Sequence, residues 1–353
     1  MEQYVIGRNN IALAYNGKLM GRYGYTLPAF TLRIEFPEEG YYPAGPEVSD
    51  IYWSKVVGAP TNQWDFTYPY SDWSGKLTNL RGNDGQGNHS TFRVIDAGDM
   101  SAVTNMHETF LSAYMTETCL FDTSNVTDMN SMFRLCTVLE GIPEFPTYSV
   151  TDMGHFMDEC VNVVAIPSLY TAKVTNMEWA FHSCISLKSI GMMNTSNVVN
   201  MSYAFYATTS LDTIPAIDTS SVTDMSFMFD SSGITSLPML DTRSVVTMES
   251  MLYGCKSLAE IPTFNTINVK NMEYMAAECT SLRHVPLFDV SSIESISSAF
   301  QNCTNVESGA YALYQRASTE ATHLTSHSAA FKECGSNTST GAAELAQIPS
   351  DWK

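Results

Sequence analysis

The sequence predicts an α/β solenoid, with coils of one short helix and one short strand preceded by a small N-terminal β domain. Three observations predict it. A frame recurs every 23 or 24 residues from about residue 100 onward, its apolar columns fall at helical offsets, and the first hundred residues lack it. The domain boundaries read as 1–100 for the β domain and solenoid cap, 101–306 for nine coils, and 307–353 for a degenerate terminal repeat and C-terminal cap.

Composition narrows the function. Acidic side chains outnumber basic ones 37 to 18 in the 353 residues, for a net charge of −19, and 44% of residues are hydrophobic. Phosphate neutralisation needs clustered Lys and Arg, so nucleic-acid binding is excluded and docking on anionic lipid is disfavoured. The apolar fraction is ample for a core. An acid at position 2, no basic stretch, and an apolar run of only Ile11 to Tyr15 give no export signal and no membrane span.

In the first hundred residues, Tyr15-Asn16-Gly17-Lys18 is a two-residue hairpin signal. Phe30 to Phe36 alternates with period two, as a strand with one buried face does. Trp53, Trp64 and Trp73 cluster where the domain meets the first coil, and a solenoid needs such a cap over its open end. Gly82 to Gly87 is a loop without the lysine or spacing of a phosphate site.

The frame itself reads Val126-Thr-Asp-Met129-x-x-Met132-Phe133-x-x-Cys136-x-x-Leu139-x-x-Ile142-Pro143. It returns from Val103 to Ile293, with a final degenerate copy carrying Leu324, His327, Phe331 and Cys334. Counting from the first Met as offset 0, Met, Met or Ala, Phe and Cys recur at 0, +3, +4 and +7, which predicts one face of a two-turn helix. Thr127-Asp128 and Thr223-Asp224 supply N-cap acceptors for it. The following Leu-x-x-Ile/Val-Pro stretch predicts a short strand. Methionine, 20 residues in all, is thereby explained as adaptable core packing. Seven of the eight cysteines share one column, interrupted by Thr208 and Ser232, and read as reduced core residues.

The runs Asp122-Thr-Ser-Asn-Val-Thr-Asp-Met-Asn-Ser-Met-Phe133 and Asp218-Thr-Ser-Ser-Val-Thr-Asp-Met-Ser-Phe-Met-Phe229 resemble the BspA-type surface-protein repeat. That family is similar to leucine-rich repeats and is found in bacterial surface proteins, mycoplasma lipoproteins and phages. The resemblance covers roughly residues 100–353. It implies leucine-rich-repeat-like coils and a role in adhesion or partner binding, with no catalytic residues to carry over.

Three features are candidate sites. At offset +2 stand His155, Trp179, Tyr203, Phe227 and Tyr274, interrupted by Ser131, Ser250 and Ser298. This column predicts either a partly exposed aromatic ridge that binds a glycan or protein, or rings packed between coils. Asp122, Asn194, Asp218, Asp241, Asn265 and Asp289 form a second column, replaced in two copies by Thr147 and Thr171, which turn chemistry explains better than Ca²⁺. His323 and His327 have His-x-x-x-His spacing without an acidic partner, and no metal is expected there.

The expected function is therefore non-enzymatic, with no cofactor. A surface-type repeat without an export signal suggests a phage virion structural or host-attachment protein. In that setting the N-terminal domain contacts other virion proteins and the solenoid meets a host surface protein or glycan. A bacterial cell-surface adhesin is the alternative. A homotrimer is an expectation from class alone.

Overall fold

The computed structural model describes residues 14–15, 18–19, 29–44, 52–56 and 62–353. Strands β1 (Ala14–Tyr15) and β2 (Lys18–Leu19) pair antiparallel, as the hairpin signal predicts, while Asn16 and Gly17 lie outside the described residues. Strand β3 (Thr31–Glu35) realises the period-two segment: Leu32, Ile34 and Phe36 are buried, and Arg33 on the other face pairs with Asp65 at 2.6 Å. Strand β4 (Tyr42–Ala44) starts a separate small sheet. Strands β5 (Tyr52–Lys55) and β6 (Gln63–Thr67) extend the β3 sheet on one side. Strands β7 (Arg81–Asn83) and β8 (His89–Ser90) complete the small antiparallel sheet with β4. Strand β9 (Phe92–Ala97) flanks β3, and β10 (Met115–Thr118) runs parallel to β9, which carries the sheet directly into the coils.

The coil ladder reaches back beyond residue 100. The N–H groups of Trp73, Gly75, Leu77 and Asn79 donate to the carbonyls of Asn105, His107, Thr109 and Leu111, so 73–80 is a coil with Trp73 in the Met slot. Phe66 packs its edge on Trp53 at 5.0 Å and on Trp73 at 5.2 Å, joining sheet and solenoid in one core. The inserted strands β7 to β9 separate Asp72 from Asn105, and that break in the period hid the coil.

The short helix expected in each coil is absent. In an α-helix each N–H donates four residues back. Here Met129, Ser131, Phe133 and Leu135 donate instead to Asp152, Gly154, Phe156 and Asp158 of the next coil. Met132, Arg134 and Cys136 each donate three residues back, which makes a run of tight turns. Offsets +2 and +6 are left-handed throughout, with φ of 57° at Ser131 and 61° at Leu135. Turns of this kind repeat every four residues, so they bury 0, +3, +4 and +7 just as a helix would. The periodicity identified the core correctly and the backbone wrongly. Asp128, Asp152 and Asp224 do accept the N–H two residues on, as expected of caps, but each closes a turn.

The strand expected in each coil is mostly missing too, for a reason visible in the sequence. Pro143, Pro167, Pro215, Pro238, Pro262 and Pro286 occupy its last slot, and proline has no N–H to give a ladder. Gly191 stands in that slot once, and its N–H donates to Ile166 at 2.8 Å. There β11 (Ala165–Ile166) and β12 (Ser189–Ile190) pair in parallel.

Side chains complete the ladder. Thr123, Thr147, Thr171, Thr195, Thr219, Thr242 and Thr266 are buried, and each hydroxyl donates to a carbonyl of the next coil. Thr147 and Thr171 thus belong to this column and do not interrupt the Asp/Asn column. Asp122, Asn194, Asp218, Asp241, Asn265 and Asp289 each accept the N–H two residues on, in Asx turns. The cysteines face the core, and Cys136, Cys160, Cys184, Cys255, Cys279 and Cys303 donate Sγ–H to carbonyls of the preceding coil. Burial pushes the Cys136 and Cys184 thiols up to about 12. All eight cysteines are free and buried, so native protein at pH 8 is expected to resist a thiol reagent. Full labelling is expected only after denaturation; rapid labelling of the native chain would contradict this packing.

Helices α1 (Ala310–Glu320) and α2 (Ser339–Gln347) close the other end. Gly309 (φ 97°) starts α1 against the last coils, where a Cβ would lie 2.1 Å from the Val285 carbonyl. The Trp352 carbonyl accepts from Phe331, standing in for a further coil, and its ring stacks on His327 at 4.3 Å. His323 and His327 lie on turns, so their spacing does not place both on one helical face.

Candidate functional site

The inter-coil ladder turns each coil offset into a column along the solenoid. At +2, His155, Trp179, Tyr203, Phe227 and Tyr274 all adopt left-handed φ, between 52° and 60°. Such a conformation costs an L-residue about 1–2 kcal/mol, and glycine or asparagine suits it better. Offset +6 is equally left-handed and holds Ser, Ala, Glu, Gly, Asn and Leu but no ring. Rings are therefore concentrated in one column for a reason other than backbone preference.

Four of the five form one stack. His155 lies on Trp179 (5.5 Å, 14°), Trp179 on Tyr203 (4.0 Å, 9°), and Tyr203 on Phe227 (4.5 Å, 7°). Ser250 ends the stack, and Tyr274 stands apart against Tyr253 at 6.3 Å. The rings both pack between coils and reach solvent: the His155 side chain is 30% exposed, Tyr274 is 41% exposed, and Trp179, Tyr203 and Phe227 are half-buried. Within the stack the ring faces are covered by each other and the edges are left to meet a partner.

A second column at +5 escaped the sequence reading. It runs Arg134, Asp158, His182, Tyr206, Asp230 and Tyr253. His182 stacks on Tyr206 at 5.0 Å and touches Trp179 at 4.5 Å, so the two columns form one surface. The signal was available, since +2 and +5 adjoin on any turn-like coil and rings recur in both.

Two buried carboxyls in this column behave oppositely. Burial pushes Asp158 up, but hydrogen bonds from His155 Nδ1 (2.9 Å) and His182 Nδ1 (2.6 Å) outweigh it and hold the carboxyl at about 2. Arg134 Nε adds an ion pair at 3.0 Å. Asp230 forms no ion pair among the described residues. Its Oδ1 accepts from Ser231 Oγ at 2.7 Å, and burial pushes it up to about 6.

Ser183, His182 and Asp158 stand in the order of a hydrolase triad, with Ser183 Oγ 3.4 Å from His182 Nε2. Acyl transfer also needs free N–H donors for an oxyanion. The N–H groups of His182, Ser183 and Cys184 are already given to Trp179, Tyr206 and Phe181, so none of these three is free to serve as such a donor. Among the described residues, no group of three or more His, Cys, Asp or Glu is placed to hold a metal ion.

Fold and surface together define a capped repeat solenoid that displays a ladder of rings flanked by carboxylates. Residues 85–189, 157–239 and 232–338 match the family described as Mycoplasma protein of unknown function, DUF285. The matches jointly cover more than half of the chain, which therefore belongs to that family; they fall on the stretch that resembles the BspA-type repeat. A comparison with curated proteins finds no match. Among solved structures, the chain is similar to a leucine-rich repeat protein from Eubacterium ventriosum, at 19% identity and a TM-score of 0.43. That similarity covers 69% of this chain and 64% of the other, so the chain spans about 64% of that protein's length. It is also similar to a leucine rich cell surface protein from Faecalibacterium prausnitzii, at 16% identity, a TM-score of 0.28, and coverage of 64% and 78% respectively. No helix among the described residues is long and apolar enough to cross a membrane.

Proposed function

We propose that this chain is a non-enzymatic binding protein of the bacterial cell-surface adhesin type, which grips a partner protein along the His155–Trp179–Tyr203–Phe227 stack. The observation that carries the proposal is the choice of large rings at left-handed positions whose backbone favours glycine. Membership of a bacterial repeat family and the BspA-type resemblance support the adhesin setting. A protein partner fits better than a glycan because sugars stack on ring faces, and these faces are taken up by neighbouring rings. Flat, rigid ring edges offer contact area with little side-chain entropy to lose.

The test is binding of the labelled chain to host cells pretreated with protease or with periodate. Protease treatment is expected to abolish binding and periodate to leave it intact; the reverse pattern overturns the protein-partner reading. Recovery of the chain from purified phage particles and not from bacterial envelopes would overturn the adhesin setting in favour of a virion attachment role, which would use the same ridge.

A further inference from the structure

Asp230 is a carboxyl beside the ring stack that no cation pairs with among the described residues. The residue is 6% exposed, its Oδ1 is held by Ser231 Oγ, and Oδ2 has no hydrogen-bond partner among the described residues. It lies in the +5 column between Tyr206 of the preceding coil and Tyr253 of the following one, with Tyr203 and Phe227 alongside in the +2 column. Coils stacked about 4.8 Å apart place ring positions two coils apart on the order of 10 Å from each other. A cation midway would then sit about 5 Å from each ring, within the roughly 6 Å over which cation–π attraction acts.

The carboxylates acting on the tyrosines of this slot are Glu249, Glu278, Asp224 and Asp230, while His182, stacked on Tyr206 at 5.0 Å, is already bonded to Asp158 at 2.6 Å. Tyr203 is pushed up by burial and then by the carboxylates of Glu249 and Asp230; Tyr253 is pushed up by burial and then by Glu278 and Asp230. Asp224 acts on Tyr203 in the same direction, and Tyr206 is pushed up by burial and then Asp230. Among the described residues, no Lys, Arg or His forms an ion pair with Asp230. A buried carboxylate without a cation is unfavourable unless something supplies one. Three coils earlier in the same column the arrangement is complete, since Asp158 has Arg134, His155 and His182.

We infer that the slot formed by Tyr206, Asp230 and Tyr253 receives a Lys or Arg side chain of the partner protein, whose cation pairs with Asp230 between the two tyrosine rings. The inference rests on the ridge being a protein-binding surface, and it names the chemistry that surface selects. The slot should discriminate against partners that present an acid or no charge at this point. Because Asp230 is held up at about 6 by burial, the cation should bind well above that pH and poorly below it.

The experiment titrates the full chain with Nα-acetyl-arginine methylamide and Nα-acetyl-lysine methylamide by ligand-observed NMR, with glucosamine as a separate arm. Saturable millimolar binding of the amino-acid probes is expected at pH 7.5, falling about tenfold at pH 5. Asp230→Asn should lose it at both pH values, and Tyr253→Ser should weaken it, with both variants melting as folded proteins. No saturable binding, or equal binding by Asp230→Asn, overturns the inference. Binding of glucosamine without either amino-acid probe overturns the protein source. If Asp230→Asn leaves probe binding unchanged while ring substitutions still abolish cell binding, the slot fails and the ridge stands.

Discussion

Phe133→Ala is expected to lower the stability of the chain by about 3–5 kcal/mol. The ring is fully buried and stacks on Phe110 at 5.5 Å and 1°, meets Phe156 edge-on at 5.5 Å, and lies 6.2 Å from Phe145. Its removal takes away the buried area and leaves a cavity that the coil cannot close, because the Phe133 N–H and carbonyl stay fixed by Phe156 and the Cys136 and Cys160 donors. A solenoid is stabilised largely by contacts between neighbouring coils, so the loss weakens both interfaces of this coil. Met132→Leu, a near-isosteric change one residue away, should cost less than about 1.5 kcal/mol. Urea unfolding followed by circular dichroism measures both. A Phe133→Ala loss under about 1 kcal/mol would contradict the packing described.

Asp158→Asn and Asp230→Asn should change stability in opposite directions at neutral pH. Asp158 has its carboxyl held at about 2, below the ordinary 3.8, so ionisation is favoured in the folded state. Its contribution is fully present above about pH 4 and is lost as pH falls toward 2; Asp158→Asn should therefore destabilise at pH 7 and cease to matter near pH 2. Asp230 is raised to about 6, so its ionised form is disfavoured by folding. Asp230→Asn should stabilise above pH 6, with the gain shrinking through pH 6 and gone near pH 4. Each effect is about 1–2 kcal/mol once discounted for solvent screening. Thermal melts of the two variants from pH 3 to 8 check the signs, and equal shifts of one sign would contradict the environments assigned to the two carboxyls.

Much of this architecture was legible in the residues. Met129, Met132, Phe133 and Cys136 are all buried, and so are their counterparts in other coils, because the apolar columns directly record what faces the core. The backbone carrying them was not legible, since repeated four-residue turns and an α-helix bury the same offsets. The information that could have separated them was present in part: Gly254 and Asn302 at +6, and Gly75 and Asn79 in the first coil, occupy left-handed positions that suit them. The missing strands were readable from Pro143, Pro167 and their equivalents, and the exception from Gly191. The first coil was hidden because Trp73 and Leu77 stand where later coils have Met and Phe, behind an insertion that breaks the period.

Of the candidate site, the sequence showed the +2 rings but not how they meet. That His155, Trp179, Tyr203 and Phe227 stack while Tyr274 stands apart follows from Ser250, one small residue in the column. The +5 column was overlooked because its members differ in charge and size, and only the coil geometry reveals that Asp158 draws three cationic or imidazole groups while Asp230 draws none among the described residues.

The most direct measurement compares cell-surface binding by the wild-type chain and by the Trp179→Ser, Tyr203→Ser double variant. Serine already occupies the same left-handed slot at Ser131, Ser250 and Ser298, so the variant keeps a backbone the coil tolerates. Loss of two ring anchors at an interface typically costs more than about 2 kcal/mol, so binding should fall at least ~30-fold with the fold retained in circular dichroism. Undiminished binding by the folded double variant would contradict the ridge as the functional surface.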